Sequence, residues 1–238
     1  MKFKVSFTLL GKLIEIHPEI INSILVVAFL CIIAIIIGKK AEKQDWKTPP
    51  TGILRMGEIF VEGVTGLVES IMGKGRRSKA FAPYAGMLIL YLATANLLGM
   101  IGLTPPTSNY NVTLSLALIT FVIIHTMAIK TNGLGSYLKG YFEPFPILFP
   151  MNLLGELATP ISLSFRLFGN ILSGVIIMTL IYNGIEALSG FLIPVIAPVF
   201  HVYFDIFSGL LQTFIFTMLS MVFINNAMAE EEEETAQQ

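Results

Sequence analysis

Five apolar stretches, separated by islands that hold nearly all the charge, restrict what this chain can fold into more than any other feature. A transmembrane helix needs roughly 20 mostly apolar residues, at 1.5 Å per residue across a hydrocarbon core about 30 Å thick. Ile20–Gly38, Phe81–Ile101, Val112–Ile129, Met151–Tyr182 and Phe191–Met228 all meet that requirement. In lipid a spanning segment must satisfy its backbone polar groups within itself, which favours helices. The chain is 54% apolar and only 13% charged, against about 25% charged in an average soluble domain. The expected fold is all-α: a polytopic integral membrane protein of about five crossing helices.

The islands set the organisation of a single membrane domain over residues 1–238. Residues 1–19 form an amino end carrying Lys2, Lys4 and Lys12, with no short apolar core and small-residue cleavage site of the kind a removable signal peptide shows. After the first span, 20–38, nine Lys/Arg fall between Lys39 and Lys79. Inside that island Thr51–Met72 alternates polar and apolar residues with helical period. Residues 51–74 are therefore expected as an amphipathic helix lying in the membrane interface. Residues 81–101 and 112–129 are the second and third spans, joined by the uncharged, turn-rich Pro105-Pro106-Thr107-Ser108-Asn109 loop. Residues 146–182 and 191–228 follow as two long helices, and 229–238 is an acidic tail. As straight helices, Met151–Tyr182 and Phe191–Met228 would measure about 48 and 57 Å. They must tilt, bend or protrude, with Pro160, Pro194 and Pro198 as kink points.

Lys39–Lys79 together with Lys130 and Lys139 put eleven basic residues on one side of the membrane, against three at the amino end. The positive-inside rule then places the amino end outside and the carboxyl end in the cytoplasm. A net charge of −1 divided in this way leaves no nucleic-acid footprint. Cys31, the single cysteine, supports neither a disulfide framework nor a thiol metal site.

Polarity within the membrane concentrates on the last two helices. At 100° per residue, Ser162, Asn170 and Ser173 lie within about 40° of Arg166, and His201, Ser208 and Gln212 lie within about 60° of Asp205. A guanidinium stays charged in proteins, and at the bilayer centre it costs from roughly 2.5–3.5 to 10–17 kcal/mol, depending on the method. Two readings account for it: a static ion pair with Asp205, or a permanent charge that works within a polar pathway.

The stretch Pro160-Ile-Ser-Leu-Ser-Phe-Arg166-Leu-Phe-Gly-Asn170-Ile-Leu-Ser-Gly174 resembles the signature of the a-subunit family of bacterial F-type ATP synthases. Leu211-Gln212-Thr-Phe-Ile-Phe is similar to that family's second block. Asn96-Leu-Leu-Gly-Met and the Pro105–Thr113 loop also look like family features, so the resemblance runs from about Phe81 to Met228. It implies a non-catalytic stator subunit in the cell's inner membrane that passes protons or sodium ions to and from a ring of c subunits through two offset half-channels. The other implied partners are the peripheral-stalk subunit b and membrane lipid. Arg166 would be the essential arginine, facing the ring carboxylates and blocking leak, with Gln212 near it. The outer half-channel would be lined by Asn170, Ser173, Asp205 and His201, with Glu186 near its mouth. Asn152, Glu156 and Ser162 would belong to the inner one. The chain departs from the best-known bacterial pattern, which has a Glu nine residues after the arginine and a His seven before the glutamine. Val175 and Asp205 stand there, an exchange that keeps one titratable group but moves it to the other helix.

The remaining polar residues have plainer readings. His125, alone in the third span, suits an interhelical hydrogen bond, and His201 with Asp205, at i and i+4, suits a hydrogen-bonded pair. No His/Cys/Asp/Glu set has metal-ligand spacing, and no cofactor or nucleotide-binding glycine loop is expected. A secondary transporter would show two related halves, and no internal repeat is visible. A purely structural anchor would leave Arg166 and its stripe unexplained.

Overall fold

The computed structural model describes residues 5–9, 12–44, 49–142, 145–189 and 193–236. Residues 1–4, Gly190, Phe191 and the last two residues of the acidic tail lie outside the described residues. The chain opens with an antiparallel hairpin, β1 (Val5–Leu9) and β2 (Lys12–Ile16), in which Val5 pairs with Ile16 and Leu9 with Lys12. The sequence reading did not anticipate this pair of strands. From Pro18 onward the regular structure is helical, and five helical stretches are long and apolar enough to cross a membrane.

The first crossing helix, α1 (Pro18–Glu42), starts on a proline, whose missing amide hydrogen costs nothing at a helix start. It ends with Lys39 and Lys40 in its last turn, where cations complement the helix dipole. The amphipathic α2 (Ile53–Met72) lies between Gly52 and Gly73, both at positive φ, a backbone region costly for a residue with a Cβ. It buries Val64 and Val68 and packs mainly on α3 (Arg76–Leu97). The side chain of Asn109 accepts from the Asn111 amide and caps α4 (Tyr110–Gly140). Gly133, with φ 76°, kinks α4 near its end.

The long α5 (Phe149–Ser189) has 41 residues, about 61 Å at 1.5 Å per residue. It continues past Tyr182, where the expected helix ended, and stays helical through Pro160. The last stretch is not one regular helix. It comprises α6 (Ile193–His201), a π-helical segment at Val202–Ser208, and α7 (Gly209–Ala236). The interruption therefore falls beyond both Pro194 and Pro198, at an element with i→i+5 bonding that hydropathy does not reveal.

The centre of the fold is α7, which packs against α2, α3, α4 and α5. Leu88, Leu92, Ala117, Leu163, Leu167 and Phe216 form one apolar cluster. Val64, Val68, Ala85, Ile124, Met221 and Ile224 form a second. Because lipid is as apolar as leucine, helix association here rests on close packing and hydrogen bonds. The buried hydroxyls fit that requirement: Thr217 and Ser220 donate to the carbonyls of Thr213 and Phe216, and the hydroxyls of Tyr84 and Thr120 lie 2.8 Å apart across α3 and α4.

Candidate functional site

Along α5, Leu163 and Leu167 turn into the core while Ile161, Ser162, Phe165 and Arg166 stay exposed on the outer surface of the bundle. Arg166 therefore lies on an outward face. No described residue forms an ion pair with it. The Arg166–Asp205 bridge, one of the two readings of the sequence, is absent among the described residues.

Asp205 is held instead by its own turn. Its Oδ2 lies 2.6 Å from His201 Nδ1, and His201 Nε2 lies 2.7 Å from the Tyr182 hydroxyl on α5. Each ring nitrogen thus meets an oxygen, Nδ1 the carboxylate and Nε2 a hydroxyl able to donate or accept, so the imidazole bridges the two. The result is a hydrogen-bonded chain, Tyr182–His201–Asp205. The carboxylate also fits against α3's end: a Cβ on Gly99 would lie 3.2 Å from its atoms.

The π segment divides the polar stripe expected on this helix. A step of 100° per residue holds only for α geometry, and across Val202–Ser208 the faces rotate differently. Asp205 lies against Gly99, and Ser208 turns to α5, donating to Asn170 Oδ1 at 3.0 Å. Asn170 in turn donates to the Ser208 carbonyl at 3.4 Å. Gln212 is buried and its Nε2 has no hydrogen-bond partner among the described residues.

The junction between the π segment and α7 is held from α3. Buried Asn96 donates to the Gly209 carbonyl (3.0 Å) and to Thr213 Oγ1 (3.3 Å), and accepts from Thr107 (2.7 Å). A Cβ on Gly209 would come within 3.1 Å of the Asn96 Cβ, which is fixed to α3 and has no side-chain rotation to escape by. Gly209→Ala is expected to destabilise the fold by about 1–3 kcal/mol through overpacking. Thermal unfolding of the purified complex, with Gly184→Ala in open space as control, checks this; equal midpoints would refute it.

A second polar cluster lies toward the other end of α5. Glu156 accepts from the Tyr141 hydroxyl, has Tyr137 Oη at 3.4 Å, and has His125 Nε2 at 3.3 Å. Asn152 donates to the Tyr141 carbonyl at 3.0 Å. Burial, reinforced by the Glu156 carboxylate and Tyr137, holds the Tyr141 phenol far above its usual range, so it remains a donor. These groups line a cavity of about 490 Å³, together with Thr159 and Ala227.

The sequence-predicted residues thus separate into groups. Asn152 and Glu156 come together with His125, whose Nε2 lies 3.3 Å from the Glu156 carboxylate across α4 and α5. Asn170 meets Ser208, and His201 meets Asp205. Ser162 and Glu186 are exposed and join none of these groups, while exposed Ser173 donates to the Asn170 carbonyl at 2.9 Å. Tyr137, Tyr141, Tyr182 and Asn96 were missed as site residues. An aromatic hydroxyl in an apolar helix carries no periodic signal, although Asn96 lay within a quoted motif.

Comparison with known proteins gives this geometry a family. The family model described as "ATP synthase A chain" matches residues 20–225. The chain is 36% identical over 193 residues to the "ATP synthase subunit a, sodium ion specific" of Propionigenium modestum, covering 74% of this chain and 64% of that protein. It is 30% identical over 217 residues to the ATP synthase subunit a of Moorella thermoacetica, covering 90% and 94%. With the Aliarcobacter butzleri protein of the same name it shares 34% over 236 residues, 96% and 97% of the two chains. With five helices able to span a bilayer and a family match over most of its length, the chain belongs to the ATP synthase A chain family, as a multi-pass, non-catalytic membrane subunit serving ion translocation.

Proposed function

We propose that this subunit offers two offset aqueous half-channels to a ring of c subunits, with Arg166 as the charge between them. The observation that carries the reading is the position of Arg166: exposed, without an ion pair among the described residues, and between two polar clusters on the same helix. Along α5, Glu156 precedes it by about 15 Å and Tyr182 follows it by about 24 Å, at 1.5 Å per residue. An unpaired guanidinium facing the bilayer is expensive. A ring carboxylate opposite it would offset that cost and be held ionised there, so a carboxylate carrying its ion could not pass.

The outer path runs past Glu186 and through Tyr182, His201, Asp205, Ser173 and Asn170 to the ring. The inner path leaves past Ser162 to Glu156, Asn152 and His125. Gln212 supports the region of Arg166 from α7. The basic residues of 39–79 and 130–139 put the inner path and the carboxyl end on the cytoplasmic side, and the peripheral stalk anchors the subunit against rotation. The coupling ion is a proton in this reading, since an imidazole chain relays protons and offers no oxygen cage for a metal ion. Sodium, which the Propionigenium protein's name specifies for that protein, is the second reading. ATP-driven transport stimulated by sodium and indifferent to a protonophore would favour it.

Cysteines at 156 and 201, placed singly in a Cys31→Ser background of the assembled complex, test the two paths. An impermeant thiol reagent should label position 201 only from the outside and position 156 only from the cytoplasmic side. Labelling of both from one side would rule out offset half-channels.

A further inference from the structure

A second cavity lies apart from the proposed ion path. It measures about 890 Å³ and lies between α1, α2, α3 and α4. On α1 its wall is Ser23, Val27, Leu30, Cys31 and Ala34, recurring at helical spacing on one face. Val26 is the single buried residue of α1, so most of that helix's surface is left accessible even though it touches α2 and α3. Val61, Met87 and Ile119, which also line the cavity, are exposed, so it is a groove that opens sideways to the bilayer.

The groove has a charged end and an apolar body. Lys79, in the basic segment at the start of α3, is its one charged lining residue. Arg76 stands beside it, and that first turn holds no acidic residue. Deeper in, the hydroxyls of Ser23 and Tyr91 satisfy each other at 2.7 Å, leaving little unmet polarity among the apolar side chains. From Lys79 to Tyr91 is twelve residues of α3, about 18 Å, slightly more than one leaflet of a core about 30 Å thick.

We propose that this groove binds one anionic phospholipid of the leaflet on the basic side, its phosphate at Lys79 and its acyl chains along α1 and α3. Charge selects this occupant: a positive mouth over an apolar body complements an anionic headgroup with tails. Such a lipid fills the space that α1 leaves and ties it to the bundle.

The test uses the purified complex in phosphatidylcholine vesicles doped with phosphatidylglycerol that carries a photoreactive acyl chain, or with phosphatidylcholine labelled in the same way. Irradiation should place adducts on the lining positions Val27, Leu30, Cys31 and Ala34 of α1 and on Val61, Val64 and Met87 opposite, preferentially from phosphatidylglycerol. Lys79→Gln should reduce the phosphatidylglycerol yield about five-fold, the effect of one basic charge near a membrane surface. Ala34→Phe, on an exposed position, should narrow the groove and reduce adducts without altering charge. Three results would overturn the proposal: adducts spread evenly over the outward face at Ile24, Phe29 and Ile36; equal labelling by the two lipids with no effect of Lys79→Gln; or a photoreactive probe on Cys31 coupling to a helix of another subunit.

Discussion

Replacing Arg166 by alanine is expected to abolish ATP-driven ion pumping while the complex stays assembled. The two halves of that expectation have separate grounds. Assembly should survive because no described carboxylate depends on the guanidinium. Its removal therefore orphans no partner among the described residues. Pumping should fail because nothing would hold a passing rotor carboxylate ionised. A neutral, ion-loaded carboxylate could then move straight between the half-channels, and the gain of about 2.3 kcal/mol per charge per 100 mV would no longer be tied to rotation. Acidification or sodium uptake by vesicles carrying the variant complex checks this, beside a subunit-composition gel. Coupled pumping at anything near the parent rate would remove Arg166 from its assigned role.

The next largest effect is expected from Asp205→Asn, which should reduce passive ion conduction through the membrane sector. A fall of about a hundredfold is expected, the low end of what a positioned proton-transfer group contributes. The amide matches the carboxylate in shape and can still meet His201, so the π segment should keep its geometry while losing the titratable group. Gly99→Val provides a second route to the same result. A Cβ there already falls 3.2 Å from the carboxylate, and the larger side chain should push Asp205 off His201 with all its chemistry retained. Conduction unchanged in both variants would leave Asp205 as a structural link between α3 and the π segment.

The helical plan was legible because bilayer thickness and backbone hydrogen bonding leave few alternatives. Hydropathy alone located five stretches, and Thr51–Met72 showed its amphipathic period. The amino-terminal hairpin was not legible, since short strands before a membrane span have no comparable constraint. Within the site, Glu156 and Asp205 stood out as acids in apolar helices, where ionisable residues are costly and therefore informative. Their partners did not. Tyr141 lies 15 residues in sequence from Glu156, and Tyr182 lies 19 from His201, which links it to Asp205; only helix packing brings each pair within hydrogen-bond reach.

The sequence by itself determined the class, the number of crossings, the family motif around Arg166 and the concentration of polarity on the last two helices. Each is a one-dimensional property: length against bilayer thickness, or residue type against the cost of burial. The tertiary structure alone decided the use of those polar groups. The π segment at Val202–Ser208 changed the rotation per residue, turning Asp205 toward Gly99 and His201 while Ser208 met Asn170. Asp205 was thereby engaged within its own turn and left Arg166 exposed without an ion pair. A charge that could have been a bridge on a helical wheel is, in three dimensions, open to a partner outside the chain.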